Sequence, residues 1–180
     1  MEKTEFRTDG GATWLNLLAT RGQSFGAHPV ERLPDAAAAA AWLQLVGLPP
    51  DAPLEGAELA ALVSLREALR ELAIAAVEDR PASPEARRLV GEHAATTLPH
   101  VAAGDARVPV PVPESLGAIA AQALVTLAGP DRHLLKECAE ADCRWVFLDP
   151  AGRRRWCPNP ACATRGRVRA HRARATAADA

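Results

Sequence analysis

The 180-residue chain has four cysteines in two close pairs, Cys138-x4-Cys143 and Cys157-x4-Cys162, with thirteen residues between the pairs. Two turns that each present two thiolates, joined by a hairpin-sized insert, are what tetrahedral zinc asks of a chain. Four thiolates complete the shell and leave no position for water, so such a metal is structural rather than catalytic. Other chemistry stays open to the same residues. Two disulfides would need an oxidising compartment. An iron–sulfur cluster would imply electron transfer, which nothing else in the chain suggests, and a redox switch more usually spaces its cysteines Cys-x-x-Cys. Zinc on Cys138, Cys143, Cys157 and Cys162 is the reading the spacing favours. His133 and His171 lie near in sequence, but four cysteines already suffice.

Arginine is the second residue type with a pattern. Residues 136–180 carry ten basic and five acidic residues, net +5, in a chain whose total is −1, which leaves −6 for residues 1–135. An asymmetry of this kind points to two functional parts, the basic one suited to an anionic partner. Arg153, Arg154 and Arg155 lie between the cysteine pairs, and Arg165, Arg167, Arg169, Arg172 and Arg174 follow the last cysteine. On a helix, Arg165, Arg169 and Arg172 share one face, with Arg167 and Arg174 opposite. Only Val168 is substantially apolar in that stretch, so the helix has no stripe to bury. Guanidinium groups suit bidentate contacts with phosphate and guanine, which makes these eight arginines the candidate DNA contacts. Their alternative role is charge balance, against a zinc tetrathiolate of about −2 or against the acidic N-terminal part.

The elements that must position these groups are mainly helical. Hydrophobic residues make up 48% and aromatics only 4%, with no Tyr, so Leu, Val and Ala build most of the core. Alanine-rich sequence of this kind favours helices over sheets. Residues 12–20 predict a short helix with Trp14, Leu17 and Leu18 inward, and residues 21–34 predict a loop. Asp35 is placed to cap a helix over 36–46, closed by Gly47 and Pro49-Pro50. Leu59, Leu62, Leu65, Leu69, Leu72 and Ala76 form one apolar stripe from about 55 to 79. Ser83-Pro84-Glu85 starts a helix to about 96. Residues 108–113 alternate Val and Pro and predict an extended link, after which Ser115 caps an apolar helix to 128. Residues 131–136 predict a last helical piece.

Between the cysteine pairs, residues 144–148 predict a strand, 149–152 a turn and 153–156 the returning strand, with Trp145, Phe147 and Trp156 covering one side. So small a module needs the metal to fold. The expected division is a helical domain at 1–130 with its own core and a zinc module at 131–180. Chelation is then expected to unfold residues 138–165 and spare the helices. The charged N-terminus does not resemble a signal peptide, and the apolar run at 116–129 contains Gln122 and falls short of the ~18 residues a membrane span needs. A cytoplasmic protein without membrane contact is expected. Residues 1–135 show no Gly-rich phosphate loop, no Gly-x-Ser-x-Gly and no Cys nucleophile, while His28, His93, His100 and His133 are scattered. The expectation is therefore a protein that is not an enzyme.

Residues 138–174 resemble the CGNR zinc finger family. The resemblance rests on Cys138-Ala-x-x-x-Cys143, Trp-x-Phe-Leu-Asp at 145–149, Arg154-Arg-Trp-Cys157, Cys162-x-x-Arg165 and Arg167-Val-Arg-Ala-His-Arg-Ala-Arg174. In that family the finger follows a helical ABATE domain, which residues 1–130 resemble through Ala41-Trp42-Leu43 and Leu65-Arg-Glu-Ala-Leu69. The resemblance implies a stress-induced transcription regulator: a sensing or dimerising helical domain, with room for a small-molecule effector and a homodimer, then a zinc finger that contacts DNA. The alternative is a protein–protein adaptor whose finger is purely structural. One departure stands out. Where the family reads Cys-Gly-Asn-Arg, this chain has Cys162-Ala163-Thr164-Arg165. If the family's pair supplies a positive φ or a capping bond, Ala163 and Thr164 must manage otherwise.

Overall fold

The computed structural model describes residues 6–96 and 108–178; His100 lies outside them. Among the described residues the α-helices are α1 (Thr13–Leu18), α2 (Ala36–Leu45), α3 (Gly56–Val77), α4 (Pro84–Ala95), α5 (Val112–Ala128) and α6 (Pro160–Ala178). Their ends follow from local chemistry. The Asp35 carboxylate accepts the Ala38 N–H, and Gly47, at φ +81°, turns the chain out of α2. Glu55 and Glu58 form a capping box at the start of α3. Ser83 accepts the Ala86 N–H, and Pro84 takes the first helical position of α4, where its missing N–H costs nothing.

Two boundaries differ from expectation. Helix α5 starts at Val112 with Pro111 as its N-cap, so Ser115 is buried inside the helix and caps nothing. Pro113 is tolerated because first-turn N–H groups have no intrahelical partner. The stretch read as a loop contains a small antiparallel hairpin, β1 (Arg21–Gly22) with β2 (Val30–Glu31). A buried arginine of α3 pins it. The Arg66 guanidinium donates to both carboxylate oxygens of Glu31, at 2.7 and 2.6 Å, and to the Thr20 hydroxyl at 3.0 Å.

The second hairpin also pairs differently from the sequence reading. Strand β4 (Val146–Leu148) pairs antiparallel with β3 (Leu135–Glu137), with Lys136 opposite Phe147. Residues 153–156 form no strand, and the predicted helical piece shortens to a 3-10 turn at Pro130–Leu134. The reason is burial. Leu135, Val146 and Phe147 all enter the core, whereas Arg153, Arg154 and Arg155 are exposed and offer no apolar face for a paired strand. The arginine loop is tied instead to the segment after β3, the Ala139 N–H donating to the Arg155 carbonyl at 3.0 Å.

The core is continuous from the helices into the cysteine module. Trp14, Trp42, Leu62, Leu65, Leu69 and Leu116 belong to the same buried cluster as Trp145, Val146 and Phe147. Trp145 Nε1 donates to the Leu15 carbonyl at 2.8 Å, and the Leu148 N–H donates to the Gly10 carbonyl at 2.9 Å. At Gly10 a Cβ would stand 2.7 Å from the Trp145 ring, so glycine is needed for that approach. The expected separate core for the helices is thus not what forms: β3 and β4 pack on α1 and α3. No helix among the described residues is long and apolar enough to cross a membrane.

Candidate metal centre

The four cysteines come from four backbone settings. Cys138 follows β3, and its N–H donates to the Trp145 carbonyl at 3.0 Å. Cys143 closes a tight turn in which the Glu140 carbonyl accepts N–H groups from Cys143 and Arg144, at 2.9 and 3.1 Å. Arg144 completes that turn at φ +47°, a left-handed conformation unusual for arginine. Its guanidinium anchors the turn by bonding Glu137 and, at 2.6 Å, Glu78 at the end of α3. Cys157 leaves the arginine loop. Cys162 lies in the first turn of α6, where Asn159 caps the helix by accepting the Ala161 N–H at 3.0 Å.

These turns bring the four sulfurs to within 4.8 Å of one another. Tetrahedral zinc with Zn–S of ~2.3 Å would set its sulfurs ~3.8 Å apart; Cys143 and Cys157 are separated by 4.0 Å. The cluster has the size and donor set for one such ion. Cys138, Cys157 and Cys162 are buried, and Cys143 is half-buried. Without a cation the thiols restrain one another. Hydrogen bonds from Cys143 first, then Cys157 and Cys162, pull the Cys138 pKa down, while the bond to Cys138 pushes Cys143 up. Four thiolates this close cannot ionise together, and a soft divalent cation removes that conflict. The chain places all four predicted ligands together.

The eight arginines are divided by the fold. Arg165 is half-buried: it donates to the Cys162 sulfur at 3.3 Å and lies 3.7 Å from Glu140. Arg169 reaches Glu140 at 3.0 Å and also bonds Asp142. Two residues of the predicted binding face are therefore turned toward the first cysteine pair. Arg172 and Arg174 are exposed further along α6, as are Arg153 and Arg154 on the loop. Arg155 and Arg167 stack over the Trp156 ring, 5.2 and 5.5 Å from its centroid. That indole brings the loop and the helix onto one surface, a juxtaposition the spacing alone does not show.

Two site features were not anticipated. Glu140 is 1% exposed although it bears a carboxylate; its only sequence signal is an acid between two ligand cysteines. Gly166 interrupts an arginine-rich helix because a Cβ there would meet Trp156 Nε1 at 2.4 Å. Ala163 and Thr164 occupy ordinary helix, with the Thr164 hydroxyl donating to the Pro160 carbonyl at 3.2 Å. No positive φ is needed there, so the departure from Gly-Asn is accommodated locally.

Comparison with protein families gives two adjoining matches. The ABATE model, described as "Putative stress-induced transcription regulator", matches residues 11–130, and the CGNR zinc finger model matches residues 134–175. No curated protein and no solved structure matches the chain.

Proposed function

The chain belongs to the ABATE family and carries a CGNR zinc finger, and from that premise we propose that it is a DNA-binding transcriptional regulator whose four cysteines hold one structural Zn²⁺. One observation carries the reading. Cys162, one of the four clustered cysteines, lies in the first turn of α6, an arginine-rich helix that has no apolar stripe and is exposed over most of its length beyond Arg165, so a metal held by the cluster would fix where that helix starts. The metal would act by orientation: it ties the first cysteine pair to the helix, and Arg165 and Arg169 add charge contacts to Glu140 and Asp142. Arg153, Arg154, Arg172 and Arg174 then face solvent, with Arg155 and Arg167 held between them on Trp156. Those six are the DNA-contacting set; Arg165 and Arg169 position the helix. Regulation requires an input to the helical part, and the helices' shared core with the finger gives that input a mechanical route.

The test is duplex DNA affinity as a function of salt. Counterion release should give a steep negative slope, and alanine at both Arg172 and Arg174 should make the slope shallower by about two. A flat salt dependence, or no binding at low salt, would refute the reading. The intramolecular pairing of Arg165 and Arg169 supports a second one, an adaptor whose finger is purely structural; there, removing Arg172 and Arg174 would leave the protein's assembly unchanged.

A further inference from the structure

Helix α6 has two unlike faces. The inner one carries Cys162, Arg165 and Arg169, and both arginines are committed to Glu140 or Asp142. On the opposite side Thr164, Arg167, Val168 and His171 recur at i, i+3, i+4 and i+7, and all four are exposed. Arg172 and Arg174 border that stripe on its two sides. Resting on the DNA-binding reading above, we infer that this outer face enters the major groove of duplex DNA and reads its sequence. Arg167 contacts a guanine, Val168 a thymine methyl and His171 a base edge one turn further on, while Arg172 and Arg174 hold the flanking phosphates.

Charge complementarity selects the occupant. The 19 residues of α6 include no acidic side chain. Among the described residues its carboxylate contacts are those of Arg165 and Arg169 alone, so the charge of the outer side is not neutralised. Side-chain chemistry then divides the labour. Gripping phosphates needs only positive charge and carries no sequence information, yet the outer stripe is mixed. Arg167 differs from its exposed neighbours because its guanidinium lies 5.5 Å from the centroid of the Trp156 ring, which Arg155 also approaches, at 5.2 Å. Stacking occupies the π-face of the cation and leaves its N–H edge free. A planar fork held in advance loses less freedom on binding, and its geometry matches guanine O6 and N7 bidentately. Val168 is 44% exposed. A lone exposed valine is ordinary, but this one stands between Arg167 and His171 on the same stripe, where its methyls suit the C5-methyl of thymine. Thr164 commits its hydroxyl to the Pro160 carbonyl, so reading begins at Arg167. A groove roughly 12 Å wide admits one helix, and no acidic or aromatic side chain on the stripe obstructs entry.

The experiment takes the full-length, zinc-loaded protein and a pool of random-sequence DNA duplexes, and sequences those that bind. The preferred duplex is then compared with a scrambled one by fluorescence anisotropy across salt concentrations. The preferred duplex should contain a guanine close to a thymine. Arg167→Lys keeps the charge and loses the fork. It should leave the scrambled duplex's affinity and salt slope unchanged while preference for the guanine falls about tenfold. Val168→Ala should relax preference at the thymine alone. Arg172→Gln should weaken both duplexes alike and reduce the salt slope by about one. The three positions are exposed, and helical circular dichroism with metal content checks each variant's fold. A guanine analogue lacking N7 tests the Arg167 contact in the unsubstituted protein, and should weaken binding when placed at the preferred guanine. Binding without sequence preference would overturn the inference while DNA binding itself stood. So would a preference that neither Arg167→Lys nor the analogue alters. No duplex binding at low salt would refute the regulator reading, and this inference with it.

Discussion

Removing the metal should weaken the helices as well as the cysteine module. Trp145 is 8% exposed and Phe147 0%, and both lie in the cluster that contains Trp14, Leu62 and Leu65. Two aromatic side chains bury roughly 150–250 Å² each, which at ~25 cal/mol/Å² is roughly 7–12 kcal/mol before any cost. Ordering the six residues of β3 and β4 costs about 1–2 kcal/mol each, a similar sum. The strands therefore barely hold on packing alone, and cross-linking their ends through the metal decides the balance. Once they detach, α1 and α3 expose a matching apolar face of roughly 150–250 Å², worth about 4–6 kcal/mol, against the 5–15 kcal/mol typical of a whole domain. At about 2–4 °C per kcal/mol for a chain of this size, the helices should melt roughly 10–20 °C lower. Helical circular dichroism during thermal unfolding, with and without a chelator under reducing conditions, measures this directly. Suppose the helices melt at one temperature in both samples while hydrogen exchange shows residues 138–165 open. The helical part would then hold its own core, and the reasoning from a shared one would be wrong.

Gly166→Val should lower thermal stability by about 1–3 kcal/mol through overpacking against Trp156, and should loosen α6 without releasing metal; unchanged melting would show that the indole moves aside freely. Trp145→Phe removes the bond to the Leu15 carbonyl and part of a buried ring, so denaturant unfolding should show a loss of about 2–4 kcal/mol. Glu31→Gln leaves Arg66, 1% exposed, with Glu67 at 2.9 Å as its remaining carboxylate, and should cost about 1–3 kcal/mol, the range for a lost hydrogen bond to a charged group, because Glu31 itself is open to solvent. Acid should reproduce part of that loss. Burial alone would raise the Glu31 carboxyl, but the hydrogen bond from Arg66 and the Leu33 N–H outweigh it and hold the pKa below its ordinary 4.5. A carboxylate lowered in the folded state contributes stability that is fully present above the unfolded value and disappears as pH falls through the folded one. Melting temperatures should therefore drop as pH falls below about 4.5, and the drop should be shallower in Glu31→Gln.

Features that local chemistry controls were legible from the residues alone. Four cysteines at their spacing define the metal cluster, because ligand type and two short turns suffice to specify a tetrahedral site. The apolar stripe of α3, the Asp35 and Ser83 caps and the basic character of α6 were equally legible, since each depends on residues within a turn or two. Pairing at a distance was not legible in this way, because it depends on which surfaces pack together. Strand β4 joins β3 rather than the arginine loop because Leu135 offers it a buried neighbour, and periodicity cannot say which of two segments will be covered by α1 and α3. Arg165 and Arg169 share a helical face with Arg172, yet Glu140 and Asp142 claim only the first two. Arg7, Arg21 and Arg32 look like scattered surface charges until the hairpin folds against the cysteine module and sets them around one cavity with Arg165. Charge and ligand chemistry belong to the residues; whether a guanidinium meets a carboxylate, an indole or open solvent depends on which surfaces the shared core brings face to face.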